Sequence, residues 1–357
     1  MKRVPRHPVF SAMLQAWMVC CLWGMSSAHA VIVFGSGDPA YNTTPPSGAL
    51  SGSGWDWQGR WQFALGTVIG PRQFVTARHL GGSPGDGFEY RGLRYRTVAV
   101  TNRPGTDLNV FTVAGRFADY APLYSNARES GRPLMLFGRG GRRGPAVAGR
   151  GWWIGEYDGL QRWGTNTVKG WVPADSSPVG DLLVFDFSAG AGADEGMYSG
   201  GDSGAGSFLL DRDGVWKLAG VGYAVEGPYT SDTNTPPQHG AFFDTRGLWV
   251  GPVGRQEWLP DGPTPEGSLS YMTRISSHAG WLVLQTSAQP PAGQPIVESA
   301  PDLSSAFVEE SAYSVDGDLR RVEVPVSTTS RYFRIRGASR LELRSISAGV
   351  CTLQFDW

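Results

Sequence analysis

Ser203 lies in Gly200-Gly201-Asp202-Ser203-Gly204, flanked by glycines, preceded by an acid and followed by the strand-like Ser207-Phe208-Leu209-Leu210. A serine hydroxyl is a weak nucleophile at neutral pH. To attack a carbonyl it needs a nearby base, a carboxylate that orients the base, and donors for the oxyanion that forms. The chain offers residues for each role. Phe74-Val75-Thr76-Ala77-Arg78-His79 is a strand-like run ending in a histidine, and Thr106-Asp107 opens the alternating run Leu108 to Val113. In these roles His79 takes the Ser203 proton and returns it to the leaving group, while Asp107 fixes the imidazole tautomer and stabilises the imidazolium. The oxyanion donors expected are the backbone N–H groups of Gly201 and Ser203, because glycine reaches backbone conformations closed to other residues.

The order along the chain is His, Asp, Ser, which differs from the orders of the α/β-hydrolases and the subtilisins. With Gly66-Thr67-Val68-Ile69-Gly70 before the histidine run and Trp216-Lys217-Leu218-Ala219-Gly220-Val221 after the serine, the chain resembles the trypsin-like serine proteases from Val31 to Leu259. Two positions depart from that family: Leu80 stands where a cysteine usually follows the histidine, and Ala205-Gly206 where Gly-Pro is usual. The resemblance implies an all-β fold of two antiparallel six-stranded barrels with the triad in the cleft between them. It implies a serine endopeptidase that works through an acyl-enzyme. It also implies a primary specificity pocket near Met197, Val225 and Gly240; with Met197 uncharged, an apolar side chain is expected at the cleaved position. Finally, it implies that Asp202 pairs with a free amino group at Val31, the alternative being an Asp202 satisfied by backbone amides or an arginine.

Residues 1–30 read as an export signal: Lys2, Arg3 and Arg6, an apolar run from Met13 to Met25, then small residues up to Ala30. That run is short of the roughly 20 residues that cross a bilayer, so cleavage after Ala30 and secretion are expected, with no lasting membrane insertion. Cleavage there exposes Val31-Ile32-Val33. The chain has 31 Lys and Arg against 32 Asp and Glu, and three of the basic residues precede Val31. What remains is mildly acidic, which argues against nucleic acid as a partner. Cys20 and Cys21 fall in the signal, so Cys351 alone is left and no disulfide can form within the mature chain.

Six strand patterns separated by Gly, Pro or Asp run from Arg60 to Val113, as a first barrel requires. A second set is expected at Arg132 to Gly138, Gly151 to Gly155, Asp181 to Phe187, Ser207 to Leu210, Lys217 to Tyr223 and Ala241 to Asp244, with a closing helix near Gln256 to Leu259. The protease-like domain is thus placed at 31–258. Three prolines and two glycines mark 259–268 as a linker. Beyond it, 269–357 reads as a small β-sandwich of short strands, beginning with Trp281 to Gln285. Its pieces Glu298-Ser299 and Tyr332-Phe333-Arg334-Ile335-Arg336 resemble a module found at the C-termini of secreted bacterial proteins, which implies a protein or glycan surface as partner.

Gly138-Arg139-Gly140-Gly141-Arg142-Arg143-Gly144 misses the dinucleotide fingerprint and reads as a solvated loop. Asp211-Arg212-Asp213-Gly214 lacks the later ligands of a calcium loop and reads as a hairpin turn. His239 and His278 have no ligand partners at metal spacing, so neither metal nor cofactor is expected. Protein or peptide substrates fit this reading best. An inactive protease-like binding module and an esterase using the same triad are the alternatives.

Overall fold

The computed structural model describes residues 31–326, 331–347 and 349–356, so the expected signal segment lies outside the described residues. The chain folds as two antiparallel barrels of the chymotrypsin type followed by a β-sandwich. Strands Gln58–Trp61, Ala64–Val68, Gln73–Ala77, Gly87–Tyr90, Leu93–Asn102 and Leu108–Arg116 pair in a ring that closes where the last two meet. Alternating side chains fill this first barrel with aromatic rings. Phe74 stacks on Phe88 at 3.9 Å, and Trp61 lies 4.5 Å from Phe111. Gly59 makes room for this stack, since a Cβ there would come within 2.3 Å of the Phe88 ring.

The second barrel is a sheet in the order Arg162–Thr167, Pro133–Gly138, Gly206–Leu210, Trp216–Val225, Leu269–Arg274, Leu182–Asp186, with the short Gly170–Val172 at its edge. Its outer strands approach where the Asn166 side-chain amide donates to the Asp186 carbonyl at 2.9 Å. Two expected members are not in it. Gly151–Tyr157 pairs with Gly240–Phe242 on one edge and Gly141–Val147 on the other in a separate three-stranded sheet. Their places are taken by Arg162–Thr167, whose Gly-Thr-Asn-Thr core hides the pattern, and by Leu269–Arg274. The Asp211–Gly214 turn closes the hairpin between Gly206–Leu210 and Trp216–Val225, with Lys217 bridging Asp211 and Asp213 at 2.8 and 2.6 Å.

The expected boundary at 259–268 therefore does not coincide with a break in the sheet. Leu269–Arg274 pairs on both edges within the second barrel, and the helix follows it at Ala279–Gln285, where a strand was expected; Gln256 to Leu259 holds only the short strand Glu257–Trp258. The backbone of 245–268 is tied back by hydrogen bonds from Thr245 to Glu266 and from Ser268 to Phe242. The proline-rich stretch that leaves the second barrel is 286–295.

After it, Ile296–Ala300, Val308–Glu309 and Tyr332–Arg336 form one layer, and Tyr313–Asp316, Arg321–Pro325, Arg340–Ser347 and Val350–Asp356 form the other. Val297, Tyr313, Val322, Ile335 and Leu353 fill the space between them, and the free Cys351 thiol is buried there. The second layer continues the first barrel, because Tyr313 and Ser314 pair with Arg116 and Gly115.

Candidate active site

His79 and Asp107 are set by the register of two neighbouring strands. Gln73–Ala77 pairs with Leu108–Arg116 so that Ala77 faces Leu108, which leaves the next residue of one strand and the preceding residue of the other side by side at the barrel rim. There the Arg78 N–H donates to the Asp107 carbonyl at 2.9 Å, and the chain turns through Arg78–Leu80. The His79 N–H donates to Asp107 Oδ1 at 2.9 Å, and His79 Nδ1 lies 2.7 Å from Asp107 Oδ2. With both carboxylate oxygens so engaged, the ring is held with Nε2 facing outward. Nε2 lies 2.8 Å from Ser203 Oγ.

Ser203 comes from the second barrel, in the loop between Gly196–Met197 and Gly206–Leu210. The two barrels meet through Leu65, Val75, Leu108 and Val110 on one side and Phe137, Ala205, Phe208 and Val221 on the other. Gly204 is what lets the serine loop come so near. Its φ is +80°, and a Cβ there would fall 2.2 Å from Thr76 Oγ1. Substitution would strain the backbone and separate the walls of the cleft. Gly201 has φ +94°, and among the described residues neither its N–H nor that of Ser203 donates to another atom. Both N–H groups are thus without a partner in the loop that carries Ser203.

Asp202 is 1 % exposed and points away from the cleft. Its carboxylate accepts from the Ser199 N–H at 2.8 Å, the Ser199 hydroxyl at 3.2 Å and the Gly140 N–H at 3.0 Å. Burial pushes its pKa well above the usual carboxylate range despite these donors, among which the Arg139 N–H also counts. The stretch Gly138 to Gly144 is thus not simply a solvated loop: Gly138, Gly140 and Gly141 are buried, and the loop supplies amides to Asp202. A Cβ on Gly138 would lie 2.0 Å from Asp202 Oδ1 and 2.9 Å from Val31 Cγ2, so Val31 and Asp202 converge on this glycine. Ile32 and Val33 pair with Met197 and Gly196, and 31–33 are buried in the core of the second barrel.

Of the three expected pocket residues, Val225 lines a small cavity beside Ser203 together with Tyr198, Ser199, Tyr223 and Ala224. Met197 and Gly240 are not part of its wall. Met197 is fully buried, its sulfur accepting from the Ser268 hydroxyl at 3.0 Å, and Gly240 is backed by the Phe242 ring. Sequence reasoning missed Tyr198, which sits five residues before the serine, and Tyr223, whose ring meets that of His79 edge-on at 5.9 Å. An aromatic residue close to a motif serine carries no signal by itself; only the fold turns these rings toward the site. Glu195 was missed as well. Its carboxylate accepts from Asn166 at 3.1 Å and the Ser188 N–H at 3.2 Å, and its backbone carbonyl accepts from the Phe34 N–H beside the buried Val31 strand. Burial raises its pKa to about 7.

No family model and no curated protein sequence matches the chain. Among solved structures, it is similar to the inactive form of Rv3671c from M. tuberculosis H37Rv carrying a serine-to-alanine change. Identity is 15 %, 72 % of this chain and 98 % of the other are covered, and the TM-score is 0.39. A second structure, described as the Rv3671c protease in its inactive form, gives 13 % identity, 73 % and 98 % coverage and a TM-score of 0.38. At such scores the likeness is coarse, and the reading of the site rests on its own geometry.

Proposed function

We propose that the chain is an exported serine endopeptidase that hydrolyses peptide bonds through an acyl-enzyme on Ser203. The observation that carries this reading is the unbroken run of short contacts from Asp107 through His79 to Ser203, 2.7 and 2.8 Å long, assembled across the cleft between two barrels. A buried structural histidine would have no reason to aim its second nitrogen at an accessible serine; His79 keeps 26 % of its side chain exposed at the cleft.

In the first half-reaction Ser203 Oγ attacks the substrate carbonyl as its proton passes to His79 Nε2. Asp107, accepting from Nδ1–H, stabilises the imidazolium. The N–H groups of Gly201 and Ser203 would receive the oxyanion. Collapse of the tetrahedral intermediate expels the amine, which takes the proton from His79. Water, deprotonated by His79, then attacks the acyl group and regenerates Ser203. Asp202 and Val31 support the same reading. Removal of residues 1–30 would place a new ammonium on Val31, next to the glycine where Asp202 is buried, and a cation there would offset the cost of an ionised carboxylate in the interior.

Treating the mature protein with a fluorophosphonate and mapping the adduct tests the reading. The adduct is expected on Ser203 and is expected to vanish in His79→Ala. A folded protein that remains unlabelled would refute the proposal. Extending the chain by two residues before Val31 tests the ammonium separately: lower activity is expected, and unchanged activity would rule that pairing out.

A further inference from the structure

The cavity beside Ser203 holds only about 20 Å³, far below the roughly 300–1,000 Å³ of ordinary small-molecule sites. Because Ser203 borders it, the cavity is where the side chain on the acyl side of the cleaved bond must go. The protein's own residues have filled the depth behind it. Tyr198 is 2 % exposed, and its ring meets Phe185 edge-on at 5.2 Å. Its hydroxyl is hydrogen-bonded to the buried Ser207 hydroxyl. The ring also lies against the bare backbone of Gly222, with carbons 3.4 Å from where a Cβ would be. Swinging the ring aside would break a buried hydrogen bond and open a void in a packed core, so the floor is fixed.

Charge selects as well. Asp202 is the one acid among the lining residues, and its carboxylate is turned away from the cavity toward Ser199 and Gly140. A lysine or arginine entering the cavity would find no free carboxylate there, and its buried charge would go unpaired.

Building on the acyl-enzyme reading, we propose that Tyr198 is the floor of a shallow side-chain site, and that it restricts cleavage to bonds following small uncharged residues such as alanine, serine or glycine. Tyr198 is then the residue that determines specificity, and a smaller side chain at this position deepens the site.

The test begins with fluorophosphonate titration of each protein, which counts functional Ser203. It continues with kcat/KM for peptides differing only in Ala, Leu, Phe or Lys before the cleaved bond. For the wild type, alanine is expected to exceed phenylalanine and lysine by at least about 100-fold, a discrimination within reach of pocket sterics. Tyr198→Ala is expected to shift the Phe-to-Ala ratio at least about 10-fold toward phenylalanine. Tyr198→Phe, which keeps the ring, is expected to retain the wild-type ranking. A labelled wild type that prefers Leu, Phe or Lys overturns the proposal, as does a labelled Tyr198→Ala with an unchanged ranking. If Tyr198→Ala does not fold, the wild-type ranking alone decides. A folded wild type that takes no label overturns the acyl-enzyme reading instead, and this inference with it.

Discussion

Two polar clusters in this molecule invite comparison: the cleft that holds Ser203, and the junction where the sandwich continues the first barrel. In the cleft, His79 is a quarter exposed and bonds to one residue of its own barrel and one of the other. At the junction the Arg72 side chain is entirely buried. Its guanidinium pairs with Glu309, donates to the carbonyls of Gly115 and Ala288 and to the Tyr313 hydroxyl, and so ties the first barrel to the connector and to both sandwich layers. Removing Ser203 leaves His79, which water can solvate. Removing Arg72 strands the buried Gly115 carbonyl and Tyr313 hydroxyl, so the first cluster is free to serve chemistry while the second is committed to holding the chain together.

The largest effect that would separate the two is on rate. Ser203→Ala and His79→Ala are expected to lower kcat roughly 10⁶-fold and Asp107→Asn roughly 10⁴-fold, as in enzymes whose triads act as a unit. The melting temperature should be unchanged in each. Steady-state kinetics and thermal unfolding measured together check this, and a large loss of stability in Ser203→Ala would blur the contrast.

Truncation comes next. A chain ending at Pro260 loses Leu269–Arg274, the strand between Trp216–Val225 and Leu182–Asp186, and is expected not to fold. A chain ending at Gln294 keeps that strand and the helix but leaves Arg72 without Glu309 and Tyr313; it is expected to fold with a lower melting temperature. Circular dichroism of both distinguishes this from the domain division that composition suggests.

That division shows where sequence reasoning stops. That Asp107, His79 and Ser203 come together was legible because each sits in a local pattern, a strand end or a glycine loop. The number of strands in the first barrel was legible for the same reason, but the expected runs Arg60 to Leu65 and Phe88 to Tyr95 cross the turns at Gln62-Phe63 and Arg91-Gly92. The last strand of the second barrel was not, because Pro260, Pro263 and Pro265 mark a loop without revealing that the chain returns afterwards to the same sheet. Nor was the wall of the cavity beside Ser203 legible: the family resemblance pointed to Met197, whereas packing turns Met197 into the core and Tyr198 lines the cavity.

At the junction, Arg72→Met should cost about 3 kcal/mol, near the lower end for breaking a buried pair because Glu309 remains partly solvated. Ser203 labelling should persist. Denaturant unfolding checks the first expectation and fluorophosphonate labelling the second.

A smaller effect, dependent on pH, is expected in the second barrel, where Glu195 lies beside the Val31 strand. Its pKa of about 7 in the folded state exceeds the ordinary 4.5, so the folded protein binds the extra proton between these values. The group's contribution is therefore most favourable below about pH 4.5 and is lost as pH rises through about 7, by at most on the order of 3 kcal/mol. Glu195→Gln should flatten that slope and stabilise the protein above neutrality, as unfolding free energies at pH 5 and pH 8 would reveal.

The central claim is that Ser203, activated by His79 and Asp107, carries the acyl group between the two half-reactions. It is tested most directly by quenching a reacting mixture of the mature protein and an activated alanine ester in acid within the first turnover, then weighing the peptide that contains Ser203. An acyl mass on that peptide in the wild type, absent in Ser203→Ala, is the expected result. A wild type that turns over the ester while its Ser203 peptide never gains mass would contradict the account.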